Sequence, residues 1–176
     1  MWRQSSKKNS SKEKFTSAQQ AFDCALNLLS YRDYSDKKML ERLQQKGADE
    51  EQAKESIAKL QHYGLLDEQR YAGRIYEAWL AKRYYGRQHL QAELAKRGVR
   101  AEYIAEILER FTPELEEQQA ENAALLFVQR NRKKLETAEP HDKKIYAAAG
   151  RFMAARGFSG RYMHIILGKL HFDDDM

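Results

Sequence analysis

A glycine stands at the end of a helical segment three times in this chain, and its surroundings recur each time. Gly47, Gly98 and Gly157 are each preceded by a basic residue: Lys46, Arg97 and Arg156. Four residues before each glycine lies an apolar one: Leu43, Leu94 and Met153. Six, ten and thirteen residues after lie Ala53, Ile57 and Leu60 in the first copy, Ile104, Leu108 and Phe111 in the second, and Met163, Leu167 and Leu170 in the third. The glycines are 51 and 59 residues apart. Such self-similarity marks a tandem array of helical units, which present surfaces more often than enclosed catalytic pockets. The expected fold is all-α: three tandem three-helix repeats over 17–66, 67–111 and 112–171, between a basic tail at 1–16 and an acidic tail at 172–176.

Composition agrees. Two prolines and nine glycines in 176 residues favour long helices over a turn-rich β fold. The net charge of +5 is uneven, because residues 1–20 hold five basic residues against Glu13 alone. A basic tail suits a polyanion, and it equally suits solvated disorder. Cys24 is the only cysteine, so neither an internal disulfide nor a cysteine zinc site can form; its apolar helical neighbours predict a buried structural thiol. No apolar run of 18 residues and no signal peptide is legible, which predicts a soluble cytoplasmic protein.

Local signals divide the body into nine helices. The first spans about 17–30 and buries Ala21, Phe22, Ala25, Leu26, Leu28 and Leu29. Ser35 caps the second (36–46), with Tyr34 and Met39 placed as a hydrophobic staple. Asp49 and Gln52 form a capping box for the third, which buries Ala53, Ile57 and Leu60. Gly64 ends it, Leu65 and Leu66 enter the core, and Asp67 caps the fourth (68–83), which presents Tyr71, Ala72, Ile75, Ala78 and Trp79. Gly86 breaks that helix, and the fifth (87–97) and sixth (101–111) follow. Thr112-Pro113 opens the seventh (113–135), because proline at the first helical position loses no hydrogen bond. After the Ala138-Glu139-Pro140 loop come the eighth (141–156) and the ninth (160–170), the latter capped by Ser159 with Phe158 and Met163 as its staple.

Catalytic signatures are missing: no glycine-rich phosphate loop, no nucleophile elbow, no paired cysteines. The protein is therefore expected not to be an enzyme and to need no cofactor. His89 and Glu93 stand one turn apart, but two ligands do not make a metal site. Asp173, Asp174 and Asp175 read as a solubilising tail. The strongest candidate surface is Lys82, Arg83, Tyr84, Tyr85 and Arg87, with Lys96, Arg97 and Arg100 in the same unit. Cations neutralise phosphates and rings stack on bases, so the pattern suits nucleic acid or an acidic protein groove. Helix-end electrostatics with Tyr84 and Tyr85 packed on the core would explain the same residues. A second basic run, Arg130, Arg132, Lys133 and Lys134, ends the seventh helix, where the dipole explanation is stronger. Leu65, Leu66, Tyr71 and Trp79 could form a partner-facing stripe; their spacing with Ile75 and Ala78 favours core packing.

Several stretches resemble the bacterial RecX regulatory proteins. Ala25-Leu26-Asn27-Leu28-Leu29, with Tyr34-Ser35, Leu40, Leu43 and Gly47, resembles their first unit. The run from Gly64 through Leu65, Leu66 and Asp67 to Tyr71 and Ala72 looks like that family's most recognisable motif. Residues 85–99, from Tyr85-Gly86-Arg87 to Arg97-Gly98-Val99, are similar to the second, and Arg156-Gly157-Phe158-Ser159 to the third. The resemblance implies three helix triplets bent into an elongated, curved molecule. It also implies negative control of the RecA recombinase by binding RecA filaments on DNA, lodging in the filament groove, and inhibiting ATP hydrolysis, strand exchange and filament growth. Contacts with single- and double-stranded DNA would be weak and non-specific, and the protein a monomer.

Two other readings fit an all-helical basic chain. One is a helix-turn-helix transcriptional repressor, which would prefer an operator strongly over random duplex. The other is an RNA- or protein-scaffolding repeat with no link to a recombinase.

Overall fold

The computed structural model describes residues 14–139 and 142–170. Among the described residues it is all-α: α1 (Ala18–Tyr31), α2 (Asp36–Lys46), α3 (Glu50–His62), α4 (Glu68–Leu80), α5 (Arg87–Lys96), α6 (Ala101–Arg110), α7 (Pro113–Leu135), α8 (Lys143–Ala155) and α9 (Met163–Lys169). A 3-10 turn, Gly160–Tyr162, leads into α9. No helix among these residues is long and apolar enough to cross a membrane. The chain divides into two compact units, one up to Glu68 and the other from Gln69.

The helix ends follow local chemistry. Ser35 accepts the Lys38 amide at 3.2 Å, and Tyr34 and Met39 are both buried. Asp49 accepts the Gln52 amide at 2.8 Å while the Gln52 side chain accepts the Asp49 amide at 3.1 Å, which completes the capping box. Thr112 accepts the Leu115 amide at 3.3 Å, with Pro113 at the first helical position. The three repeated glycines all turn left-handed, with φ of 117° at Gly47, 77° at Gly98 and 79° at Gly157.

In the first unit α1 and α2 pack on α3 around Phe22, Ala25, Met39, Leu43, Ala53 and Leu60. Fully burying a side chain such as Leu43 contributes about 2 kcal/mol. The expected tail at 1–16 is shorter at its end: Phe15 packs on this core and its amide donates to the Gly47 carbonyl at 3.0 Å. Residues 1–13 lie outside the described ones, as do Pro140, His141 and the acidic tail. Leu26 is exposed because it falls off the stripe formed by Ala21, Phe22 and Ala25. Leu65 is 46% exposed while Leu66 is 4% exposed. The turn at Gly64, which brings the Leu65 and Leu66 amides to the Leu60 carbonyl, leaves only Leu66 in the core. Cys24 is half-buried, and burial pushes its thiol up.

In the second unit α4, α5 and α6 enclose Trp79, Leu90, Leu94 and Phe111, and α7, α8 and α9 enclose Ala120, Ala123, Phe127, Met153 and Ile166. Ala78 is exposed and Tyr76 is buried instead, since Ala72, Ile75, Tyr76 and Trp79 form the true i, i+3, i+4, i+7 stripe. The fourth helix ends at Leu80, three residues before its expected end at 83, and Arg83 takes a left-handed φ of 63°. α8 begins at Lys143, two residues later than the expected start at 141.

Polar bridges join the two cores of this unit. The Gly86 amide donates to the Arg156 carbonyl at 2.9 Å and the Gln88 amide to the Gly157 carbonyl at 3.1 Å. A Cβ on Gly86 would lie 2.6 Å from the Gly157 carbonyl oxygen, so this glycine is required by the close approach of two backbones. Glu116, 6% exposed, accepts the Arg87 amide at 2.9 Å and the Tyr162 hydroxyl at 3.2 Å. The Gln119 side chain donates to the carbonyl of Leu80 at 3.4 Å, which occupies an acceptor at the end of α4.

Candidate functional site

The eight residues singled out from sequence fall at the two ends of α5. Ten residues at 1.5 Å rise put these ends about 15 Å apart. At the first end, the link between α4 and α5 carries Lys82, Arg83 and Tyr84, all exposed. The Lys82 ammonium stands 5.9 Å from the centroid of the Tyr85 ring. Tyr85 is half-buried against the Trp79–Phe111 core and lies 4.1 Å from the His89 ring. The two tyrosines therefore divide: Tyr85 packs inward and Tyr84 meets solvent.

Arg87 is used differently. Its guanidinium donates to the Leu108 carbonyl at 2.8 Å and to the Phe111 carbonyl, and pairs with Glu116 at 3.6 Å. It thereby satisfies carbonyls at the end of α6 that have no partner within the helix. Arg87 holds α5, α6 and α7 together, and its charge is spent inside the unit.

At the other end Lys96 and Arg97 close α5 and Arg100 precedes α6; all three are exposed. Arg97 donates twice to one Glu93 oxygen, from Nε at 3.0 Å and Nη2 at 2.8 Å. That bond holds the Glu93 carboxyl below the usual carboxylate range and raises Arg97. Arg100 pairs with Glu102 at 3.2 Å and donates to the Tyr103 hydroxyl at 3.0 Å. Carboxylates thus offset Arg97 and Arg100 at this end. Lys82 and Arg83 lie at the other end, beside Tyr84 and Tyr85.

Sequence reasoning gave no role to Glu116, weighed His89 only as a metal ligand, and left Arg156 out of the candidate surface. Arg156 lies 3.5 Å over the Phe152 ring, and burial, reinforced by the nearby Arg130, lowers its affinity for the proton. Its backbone meets Gly86, so a cation from the end of α8 joins the Lys82–Tyr85 link. The repeat pattern flagged Arg156 only as the basic residue before Gly157. His89 accepts the Trp79 indole N–H at Nδ1, 2.9 Å away, and burial is the main reason its ring resists protonation. No group of three His, Cys, Asp or Glu that could hold a metal comes together among the described residues.

Comparison with known proteins adds independent information. Residues 21–60 match the family model described as RecX, first three-helix domain. A regulatory protein RecX of Trichlorobacter lovleyi is 38% identical over 96 residues, which is 53% of this chain and 62% of that relative, under two thirds of its length. A regulatory protein RecX of Stenotrophomonas maltophilia is 32% identical over 136 residues, covering 77% of this chain and 78% of its own. The crystal structure of RecX from Lactobacillus salivarius shares the fold, with a TM-score of 0.73 at 20% identity over 87% of this chain and 96% of that one.

Proposed function

Because this chain belongs to the RecX family of regulatory proteins, we propose that it restrains the RecA recombinase by binding RecA filaments on DNA. It lodges in the filament groove and inhibits ATP hydrolysis, strand exchange and filament extension. It performs no chemistry, needs no cofactor, and acts as a cytoplasmic monomer. Its contacts with single- and double-stranded DNA are weak, non-specific and salt-sensitive, as expected of cations meeting phosphates.

The observation that best supports this reading is the α4–α5 link. Lys82, Arg83 and Tyr84 are exposed there, beside Tyr85 and Arg156, on a backbone anchored by the Gly86–Arg156 hydrogen bond. An anchored cationic link can meet an anionic groove at little cost in ordering. Helix triplets repeated along the chain can touch successive protomers of a polymer, so modest contacts add through effective concentration. Lys96, Arg97 and Arg100 are secondary contributors in this reading, and Arg87 supports the scaffold.

The test is inhibition of RecA's DNA-dependent ATP hydrolysis by wild type and by the double variant Lys82→Glu/Arg83→Glu, with co-sedimentation on assembled filaments. Loss of both in the variant, with unchanged helical content, is the expected result. Full inhibition by the variant would remove the link from the interface. Failure of wild type to sediment with filaments would overturn the reading itself.

A further inference from the structure

A cleft of about 370 Å³ opens between the end of α7 and the start of α8. Phe127 and Leu135 from α7 and Ile145 and Ala148 from α8 supply its apolar lining. Lys134 and Lys144 also line it, and both are exposed. Lys133 and Lys143 are their exposed chain neighbours and do not line it.

Helix electrostatics explains only half of this charge. Lys133 and Lys134 stand in the last turn of α7, where the dipole favours cations. Lys143 and Lys144 stand in the first turn of α8, where it disfavours them, and no acidic residue occupies that turn. The one carboxylate among the cleft's lining residues, Asp142, serves as the cap and accepts the Lys144 amide at 2.7 Å. Local stability therefore gives no reason for lysine at the start of α8. The packing of α7 against α8 does bring one lysine from each helix to the same apolar cleft.

The walls decide what such a cleft can hold. A nucleic-acid site interleaves cations with exposed rings for base stacking. Among the described residues the only aromatic ring lining this cleft, Phe127, is 4% exposed, and the remaining apolar lining is aliphatic. Aliphatic walls flanked by two ammonium groups match an apolar side chain flanked by carboxylates. The Asn131 side-chain NH2, which also lines the cleft, donates to the Phe127 carbonyl at 2.9 Å.

We propose that the α7–α8 cleft docks an acidic peptide segment of a protein partner, with one apolar side chain between Leu135 and Ile145 and flanking carboxylates on Lys134 and Lys144. This site shares no residue with the α4–α5 link and stands whether or not that link meets a filament.

The probe is a fluorescein-labelled peptide with one leucine centred among aspartates and glutamates, read by anisotropy on the full chain. Its leucine-to-serine version and labelled oligo(dT) serve as comparisons. Lys134→Glu/Lys144→Glu is expected to weaken peptide binding at least about tenfold, since two exposed pairs become two repulsions. Lys133→Glu/Lys143→Glu changes the net charge equally and should retain most of the binding. The serine peptide should bind more weakly than the leucine peptide. Methyl NMR shifts of Leu135 and Ile145 in wild type should move on adding the leucine peptide, a readout that survives if a variant misfolds. Equal losses in the two double variants, still methyls, or a preference for oligo(dT) would each overturn the proposal.

Discussion

The indole N–H of Trp79 donates a 2.9 Å hydrogen bond to Nδ1 of His89, and this bond exists only while that nitrogen is unprotonated. Trp79 is 2% exposed, so losing its acceptor would leave a buried donor unsatisfied. Burial lowers the affinity of His89 for a proton below its ordinary value of 6.5; Lys82 and Arg156 act in the same direction, and Glu93 opposes them.

The pH dependence follows from that. With the folded value depressed, the unfolded chain binds more protons at acidic pH, so stability rises with pH. The contribution is complete above 6.5 and is lost as pH falls below it towards the folded value. Thermal melts across this range should show a falling Tm for wild type on acidification. His89→Gln, which keeps an acceptor and does not titrate, should show a shallower slope. Parallel slopes would mean that other groups carry the dependence.

Gly157 and Gly64 form a matched pair. Both have positive φ, but a Cβ on Gly157 would lie 2.2 Å from the His89 backbone nitrogen, whereas none on Gly64 would meet anything within 4 Å. Gly64→Ala should cost about 1 kcal/mol, the left-handed backbone penalty alone. Gly157→Ala adds an overlap with rigid backbone and should cost about 3 kcal/mol or more. Urea denaturation of the two variants compares them directly; equal losses would show that the α5–α8 approach yields easily.

Glu116 ties three elements, through the Arg87 amide, the Arg87 guanidinium and the Tyr162 hydroxyl. Glu116→Ala should destabilise the second unit by about 2 kcal/mol, because it strands the buried Tyr162 hydroxyl and the Arg87 amide. Glu116→Gln keeps an acceptor and should recover roughly half of that. The readout is chemical denaturation followed by circular dichroism, and near-wild-type stability of the alanine variant would show the network to be dispensable.

Arg83 separates stability from binding. Its left-handed φ of 63° is uncommon for a residue with a Cβ and costs about 1 kcal/mol relative to glycine. Arg83→Gly is expected to match or exceed wild type in thermal stability while inhibiting RecA ATP hydrolysis less. A variant that is both more stable and fully inhibitory would show that this cation is not held for binding.

The all-α class and most helix ends were legible in the chain because their causes span a few residues. The capping box at Asp49 and Gln52, the staple at Tyr34 and Met39, and the Thr112-Pro113 start all act within one turn. Errors of face came from phase: Ala78 lies off the Ala72–Trp79 stripe, and Leu65 shares its exit with Leu66. The candidate surface was only partly legible. Lys82, Arg83 and Tyr84 are exposed as an interaction surface needs, yet nothing near Arg87 in the chain announces that its partners are Leu108, Phe111 and Glu116.

The chain alone set the all-α class and most helix ends, since capping, left-handed glycines and apolar periodicity are interactions between near neighbours; the end of α4 and the starts of α8 and α9 fell two to three residues from where it put them. Only the folded arrangement decided which cations are available. Arg87 is drawn into hydrogen bonds with α6 and α7, Lys82 and Arg83 remain at the surface, and Lys134 and Lys144 meet at one cleft. Those outcomes depend on carbonyls, carboxylates and helix ends contributed from other parts of the chain, and their distances are properties of packing.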